Sequence, residues 1–200
     1  MAAPLPSLAM TDDPKTTLRQ QLRARRRAHA EALGAIGCTA MAQDAAQRLR
    51  PLWQAGRIVV GYVATNGEIS ALPCLSAAAA AGCVTGLGWI GDTPDSMVFR
   101  QWTPGAALAE GAFGVRQPMA DAAVMAPDII LTPLVGFDAD RNRLGQGGGF
   151  YDRIFLRHPL ARRIGLAWAI QQCDSLPLDP WDQPLDVIAT EAQLFGELTP

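Results

Sequence analysis

The chain has 200 residues, of which 49% are hydrophobic and 18% are charged, and its formal net charge is −2. This composition excludes an intrinsically disordered protein, and the small negative charge excludes a global basic field of the kind that attracts nucleic acid. The four cysteines form no Cys-x-x-Cys pair, and no apolar run reaches the roughly 20 residues that span a bilayer, so we expect a cytoplasmic protein with reduced thiols and no membrane partner.

The chain divides into a short N-terminal extension and one domain. Residues 1–12 carry no positive charge ahead of their few apolar residues, which argues against a secretory signal. We predict that they are flexible, with Met10 as an alternative start, and an organellar transit peptide is a weaker alternative. Residues 13–200 contain no internal repeat and no break in composition, and their number is typical of a single domain with a sizeable core.

The predicted elements alternate between helix and strand after a helical start. Asp13 and Pro14 have the residue types of a helix N-cap and a first helical position, and Gly34 is a predicted stop before a second helix over 39–53. The alternation that follows is typical of a Rossmann-like layered α/β fold, with a mostly parallel sheet and helices on both faces. Residues 103–127 are predicted to form loops over the sheet edge. The predicted strands cover residues 58–63, 83–87, 97–102, 128–131, 163–168 and 187–190, and the remaining helices cover 72–81 and 149–158.

Basic residues recur along the first predicted helix. Lys15, Arg19 and Arg23 are four residues apart and share one face. At a rise of about 1.5 Å per residue this stripe spans about 12 Å, comparable to a triphosphate chain. Two other interpretations remain open, a solvent-exposed charged face and an RNA-binding patch, although the patch lacks interleaved aromatic residues. For Arg23 to Arg27, surface charge alone is a sufficient interpretation.

The segment from Arg143 to Asp152, with the sequence RLGQGGGFYD, predicts a phosphate site. Four glycines in five positions remove side chains and tolerate positive φ, so that successive N–H groups can converge on an anion. Arg143 can make bidentate contacts to phosphate, and the Asp152 carboxylate suits Mg²⁺. The segment lies between a predicted strand and a predicted helix, where α/β folds bind anions. Neither a Walker A motif nor a dinucleotide fingerprint is present, and a plain loop with Asp152 as N-cap remains an alternative.

Residues 133–153, with the sequence PLVGFDADRNRLGQGGGFYDR, resemble the signature of the 5-formyltetrahydrofolate cyclo-ligase family. Residues 15–19 (KTTLR), 61–69 (GYVATNGEI) and 114–118 (GVRQP) resemble three further family segments in order and spacing. The resemblance covers roughly residues 15 to 191. It implies an ATP- and Mg²⁺-dependent enzyme that cyclises 5-formyltetrahydrofolate to 5,10-methenyltetrahydrofolate and releases ADP and phosphate, and we expect it to act as a monomer.

The resemblance also implies roles for single residues. Lys15, Arg143 and Tyr151 are expected to be catalytic. The expected ATP and phosphate contacts are Lys15, Arg19, Arg143, Leu144, Gly145, Gln146, Gly147, Gly148, Gly149, Phe150 and Tyr151. The expected folate contacts are Val63, Glu68, Phe113, Gln146 and Phe150.

Two of these folate contacts have simpler interpretations from the bare sequence, since Glu68 follows a predicted strand as a turn residue would and Phe113 has the character of a core residue. A carboxylate at Glu68 suits the paired donors of a pterin ring. For Mg²⁺ the resemblance implies Asp152 and a carboxylate ahead of the last predicted strand, which we assign to Asp186, with Asp182 as the close alternative.

Three positions depart from common family patterns: Gln146, Phe150 and Trp181. They leave a second hypothesis open, in which the chain is a non-catalytic or differently specific paralogue that binds a nucleotide or a sugar phosphate.

Overall fold

The computed structural model describes residues 13–91, 93, 96–111 and 114–198, so the predicted extension 1–12 lies outside it. Within these residues the helices are α1 (Pro14–Arg48), α2 (Leu72–Ala80) and α3 (Phe150–Arg157). The strands are β1 (Ile58–Gly61), β2 (Val84–Trp89), β3 (Val98–Gln101), β4 (Ala109–Glu110), β5 (Arg116–Gln117), β6 (Val124–Met125), β7 (Ile129–Pro133), β8 (Gly136–Phe137), β9 (Arg143–Leu144), β10 (Arg162–Leu166), β11 (Val187–Ala189) and β12 (Leu194–Phe195).

Helix α1 begins and bends where its sequence predicts. The Asp13 carboxylate accepts a hydrogen bond from the Lys15 N–H at 3.2 Å, as an N-cap does. Gly34 has φ 65° and ψ 176°, a left-handed conformation that interrupts the helix. The helix resumes directly after Gly34 rather than at Thr39. The Thr39 hydroxyl donates to the Ala35 carbonyl at 2.9 Å inside the helix instead of capping a new one, which is why the predicted start was too late.

The central sheet has the strand order β12-β11-β10-β7-β1-β2-β3-β6. The five strands from β11 to β2 are parallel, whereas β12, β3 and β6 are antiparallel additions at the two edges. The predicted mostly parallel α/β sheet is therefore confirmed. Residues 103–127 were predicted as loops, but they also contribute three two-residue strands, and β6 among them extends the sheet.

Both faces of the sheet carry helices, as predicted. Neighbouring residues of a strand point to opposite faces, so Val59 packs with α2 and the second half of α1, whereas Val60 packs with α3. The α1–α2 side is rich in buried alanine, which allows the helices to approach the strands closely. Four of these alanines are fully or nearly fully buried: Ala42, Ala45, Ala46 and Ala78.

Because β1, β7 and β10 are parallel, the segments that follow them emerge at one edge of the sheet. This edge carries residues 62–69, the loop to β8 and the glycine-rich segment between β9 and α3. The first half of α1 lies across it, and Arg26 of α1 donates to the Leu134 carbonyl at 3.1 Å. Among the described residues, no helix is long and apolar enough to cross a bilayer.

Candidate functional site

A cavity of about 380 Å³ opens at this edge of the sheet. Its walls include the first half of α1, the segment after β1, the segment from β9 into α3 and a turn around residue 181, and residues at the end of β2 and around β5 complete the lining. Phe113 lies outside the described residues, and Asp186 does not line the cavity. All other predicted site residues do: Lys15, Arg19, Val63, Glu68 and the whole segment 143–152.

The glycine-rich loop presents backbone donors to this cavity. Gly147 has φ 99° and Gly149 has φ 64°, conformations that side chains other than glycine rarely adopt. Gly149 is the N-cap of α3, so Asp152 lies in the first turn and is not the cap. Within the described part of the chain, the N–H groups of residues 145–149 donate no hydrogen bond. These donors are therefore available to an anionic ligand at a helix N-terminus.

The carbonyls of the same loop point towards arginines instead. Arg19 Nε donates to the Gly145 carbonyl at 3.1 Å, and Arg23 Nη2 donates to the Gln146 carbonyl at 2.7 Å. Arg153 Nη2 donates to the Gly148 carbonyl at 2.8 Å. The basic stripe on α1 thus holds the loop, which excludes the simple interpretation of Arg19 and Arg23 as a solvated charged face.

Arg143 and Asp152 form an ion pair on the cavity wall. The Arg143 side chain is only 6% exposed, and its guanidinium lies 5.2 Å from the Phe155 ring centroid. Its Nε is buried without a hydrogen-bond partner among the described residues. A guanidinium on the cavity wall beside a donor-rich loop is suited to a polyanionic ligand.

Lys15 forms ion pairs with two carboxylates that also line the cavity. Its Nζ lies 2.6 Å from Asp179 Oδ2 and 2.5 Å from Asp182 Oδ2. Burial opposes the charge on Lys15, but the hydrogen bonds to both carboxylates outweigh it and raise its pKa. Burial alone would likewise raise the pKa of Asp182, yet the hydrogen bond from the Asp179 N–H and the charge of Lys15 hold that pKa below its ordinary value. Lys15 and Asp182 are therefore charged near neutral pH. Sequence analysis missed Asp179 entirely.

The assignment of Asp186 as a metal ligand is wrong in position. Its carboxylate accepts the Arg163 N–H at 2.7 Å, beside the beginning of β10. Asp186 immediately precedes β11, which is parallel to β10, so it lies at the amino ends of these strands, on the edge opposite the cavity. Asp182, the close alternative, lies in a turn farther from β11 and lines the cavity.

Glu68 is held by groups from three segments. Its carboxylate accepts the Thr65 N–H at 3.0 Å and the Gln146 side-chain amide at 3.1 Å. Arg26 Nη1 lies 3.4 Å from Glu68 Oε1, and Arg26 is only 1% exposed. Surface charge is therefore the wrong interpretation for Arg26. The spacing of positions 15, 19, 23 and 26 places Arg26 on the same helix face as the basic stripe. The sequence therefore already indicated that Arg26 faces the site.

Two tyrosines lie beside Glu68 in the cavity. The Tyr62 hydroxyl donates to the Ile69 carbonyl at 2.6 Å, and the Tyr151 ring lies 6.1 Å from that of Phe155. Burial first, and then the neighbouring charge of Glu68, raise the pKa of both phenols above the ordinary range. Both hydroxyls are therefore protonated at neutral pH, so Tyr151 can act as a hydrogen-bond donor but not as a base.

The carboxylates fit a cation that shares its shell with a ligand. Among the described residues, no group of three or more His, Cys, Asp or Glu side chains is arranged to hold a metal alone. Asp152 and Asp182 both line the cavity beside the glycine-rich loop. Mg²⁺ commonly takes one or two carboxylates and completes its shell with phosphate oxygens and water, which this donor set can supply.

Sequence comparisons relate most of this chain to one protein family. The profile of the 5-formyltetrahydrofolate cyclo-ligase family matches residues 11–191. The chain is 29% identical to 5-formyltetrahydrofolate cyclo-ligase of Escherichia coli (strain K12) over 165 residues, which cover 78% of this chain and 90% of that protein. It is 37% identical to the Haemophilus influenzae protein of the same name over 99 residues, so this alignment spans 46% of the chain and about half, 53%, of its relative.

Solved structures agree with these sequence matches. The chain is similar to 5,10-methenyltetrahydrofolate synthetase of Aquifex aeolicus, with a TM-score of 0.76, 26% identity and coverage of 93% of this chain and 94% of the other. The synthetase of Mycoplasma pneumoniae gives a TM-score of 0.68 at 23% identity, with coverage of 90% and 99%, and supports the fold.

Proposed function

Because this chain belongs to the 5-formyltetrahydrofolate cyclo-ligase family, we propose that it converts 5-formyltetrahydrofolate to 5,10-methenyltetrahydrofolate with ATP and Mg²⁺. One observation carries the proposal. A carboxylate suited to a pterin, Glu68, and a donor-rich phosphate loop, residues 145–149, line the same cavity. The two substrates can therefore meet with the formyl group next to the terminal phosphate.

The chemical problem is a formyl carbon that amide-like resonance with N5 makes unreactive. In the proposed reaction the formyl oxygen attacks the γ-phosphorus of ATP and ADP departs. N10 of the folate then attacks the formyl carbon, the C–O bond to phosphate breaks, and the N10 proton is lost. No protein nucleophile is required, so catalysis consists of positioning and of stabilising phosphate charge.

The residues of the cavity supply both requirements. Arg143, which lines the cavity, and the N–H groups of residues 145–149 bind phosphate oxygens. Lys15 carries three N–H donors, of which two reach Asp179 and Asp182, so one remains for phosphate. Protonated Tyr151 donates a hydrogen bond, and Glu68 accepts from the pterin once the Gln146 amide has left it.

Asp152 and Asp182 are the residues that would hold Mg²⁺, which would supply further neutralisation of the phosphate charge. Every residue assigned here comes from one chain, so we propose that a monomer is sufficient for activity. We also propose a cytoplasmic location, because all four cysteines are free thiols.

The test is the growth of methenyl-folate absorbance with purified protein, 5-formyltetrahydrofolate and Mg-ATP. We expect growth that requires both ATP and Mg²⁺. Asp152→Asn keeps the side-chain volume beside Arg143 and should abolish this growth while circular dichroism shows an intact fold. Asp44→Ala removes an exposed carboxylate from the far half of α1 and serves as the matched control.

Two results would contradict the proposal at different levels. Normal Mg²⁺-dependent turnover in Asp152→Asn would remove the metal assignment alone. Absence of product from wild-type protein that still binds ATP would instead favour a paralogue with another substrate.

A further inference from the structure

Trp181 is an exposed aromatic residue on the rim of the cavity. Its side chain is 66% exposed and makes no aromatic or cation–π contact with the described residues. Eight large hydrophobic residues are exposed in the described part of the chain, and Trp181 alone among them lines the cavity. An indole face left open at a ligand cavity is suited to stacking on a flat ring.

The turn that carries Trp181 is fixed in place. The Asp182 N–H donates to the Asp179 carbonyl at 3.0 Å, and the Asp179 N–H donates to Asp182 Oδ2 at 2.8 Å. Lys15 joins both carboxylates to the beginning of α1. The indole is therefore presented by a turn that four hydrogen bonds constrain, two within the turn and two from Lys15.

Contacts along helix α1 give the position of the Trp181 turn relative to the rest of the cavity. Along the helix, Lys15 contacts the turn of Trp181, Arg19 contacts Gly145, and Arg26 contacts Glu68. Lys15 and Arg26 are eleven positions apart, which corresponds to about 16 Å along the helix axis. The phosphate loop thus lies between Glu68 and the Trp181 turn.

This order determines which flat ring can reach Trp181. In the proposed reaction the γ-phosphate is next to the formyl group and hence towards Glu68. The nucleobase of ATP is at the other end of the triphosphate. Resting on the proposed function, we propose that Trp181 stacks on the adenine ring of ATP and is a main source of affinity for the base.

The test compares Trp181→Ala and Trp181→Phe with wild type. Leu178→Ala is the matched control, because Leu178 is also exposed, lies three residues away and does not line the cavity. We expect Trp181→Ala to raise the KM for ATP about tenfold, within the range that removal of base-stacking aromatic side chains produces. Trp181→Phe keeps a flat ring and should raise it less than about threefold, and the KM for 5-formyltetrahydrofolate should stay at the wild-type value.

Inorganic tripolyphosphate distinguishes a contact to the base from a contact to the phosphates. It carries the phosphate charge but has no base, so its inhibition constant against ATP should be the same in Trp181→Ala and wild type. An equal loss for tripolyphosphate and ATP would overturn the proposal, since Trp181 would then only support the phosphate-binding turn. A rise confined to the KM for the folate would overturn it as well.

Tryptophan fluorescence tests stacking on the base without any turnover. If wild-type protein forms no methenyl product, the proposed function fails, but ATP binding still changes tryptophan fluorescence if Trp181 stacks on adenine. Quenching by ATP in wild type that is lost in Trp181→Phe would support stacking. Equal quenching in the two proteins would overturn it.

Discussion

At the scale of single residues, Arg26 shows how burial changes the role of a charged side chain. In the sequence it is the middle of three consecutive arginines, yet its side chain is almost fully buried between α1, Leu134 and Glu68. Burial lowers the pKa of Arg26, and the charge of Glu68 opposes this shift, so the guanidinium stays charged. Removing either member of such a buried pair would leave the other charge without its partner. We infer that Arg26 positions Glu68.

Arg26→Gln should therefore change both stability and folate binding. Removing one member of a buried ion pair should lower the free energy of unfolding by about 3 kcal/mol in urea titrations. The KM for 5-formyltetrahydrofolate should rise roughly tenfold, equivalent to about 1.4 kcal/mol, with little change in the KM for ATP.

Arg25→Gln is the control, since this neighbouring arginine is exposed, and should shift the free energy of unfolding by less than about 0.5 kcal/mol. Equal increases in both KM values for Arg26→Gln would indicate a general loss of structure rather than a positioning role.

At the scale of elements, the glycine-rich loop depends on backbone conformation more than on side chains. Its carbonyls are turned towards arginines of α1 and α3, and its N–H groups are left for a ligand. This arrangement requires positive φ at Gly147 and Gly149. The Gln146 side chain extends from the same loop to Glu68, so the glycine-rich loop and the proposed pterin contact are joined by a hydrogen bond.

Gly147→Ala should weaken ATP binding without filling the cavity. A Cβ at this position would meet Arg19 at 3.6 Å, an ordinary contact, so the cost lies in the backbone at φ 99°. That strain should lower stability by roughly 1–2 kcal/mol and should raise the KM for ATP as the loop relaxes.

Gly56→Ala provides the comparison, because Gly56 has φ 83° with open space around it and lies away from the cavity. Its loss of stability should be similar, with both KM values unchanged. The same increase in KM for ATP in both variants would show that instability, not loop geometry, is responsible.

At the scale of the whole molecule, the direction of the parallel strands separates two sets of charges. Asp182 lines the cavity at the carboxyl-terminal edge of the sheet. Asp186 lies at the opposite edge, where its carboxylate accepts the Arg163 N–H near the beginning of β10. Only four positions separate them in the sequence. Their functions should nevertheless be independent.

Asp186→Asn and Asp182→Asn should change different properties of the protein. Asp186→Asn weakens a charged hydrogen bond to the Arg163 N–H and should lower the free energy of unfolding by about 1.5 kcal/mol, with an unchanged Mg²⁺ concentration for half-maximal activity. Asp182→Asn should raise that Mg²⁺ concentration severalfold. The assignment to Asp182 fails if the Mg²⁺ requirement changes in Asp186→Asn instead.

The sequence by itself determined the α/β class, the N-cap at Asp13, the break at Gly34 and the position of the glycine-rich loop ahead of α3. All of these depend on residues close together in the chain: hydrophobic periodicity, capping residues and the conformational freedom of glycine. Only the tertiary structure decided that Arg26 is buried, that Asp179 and Asp182 clasp Lys15, and that Asp186 is at the wrong edge. Those outcomes depend on strand direction and on contacts between segments more than 40 residues apart, as in the Arg26–Glu68 and Lys15–Asp182 pairs. Local sequence patterns do not predict such contacts.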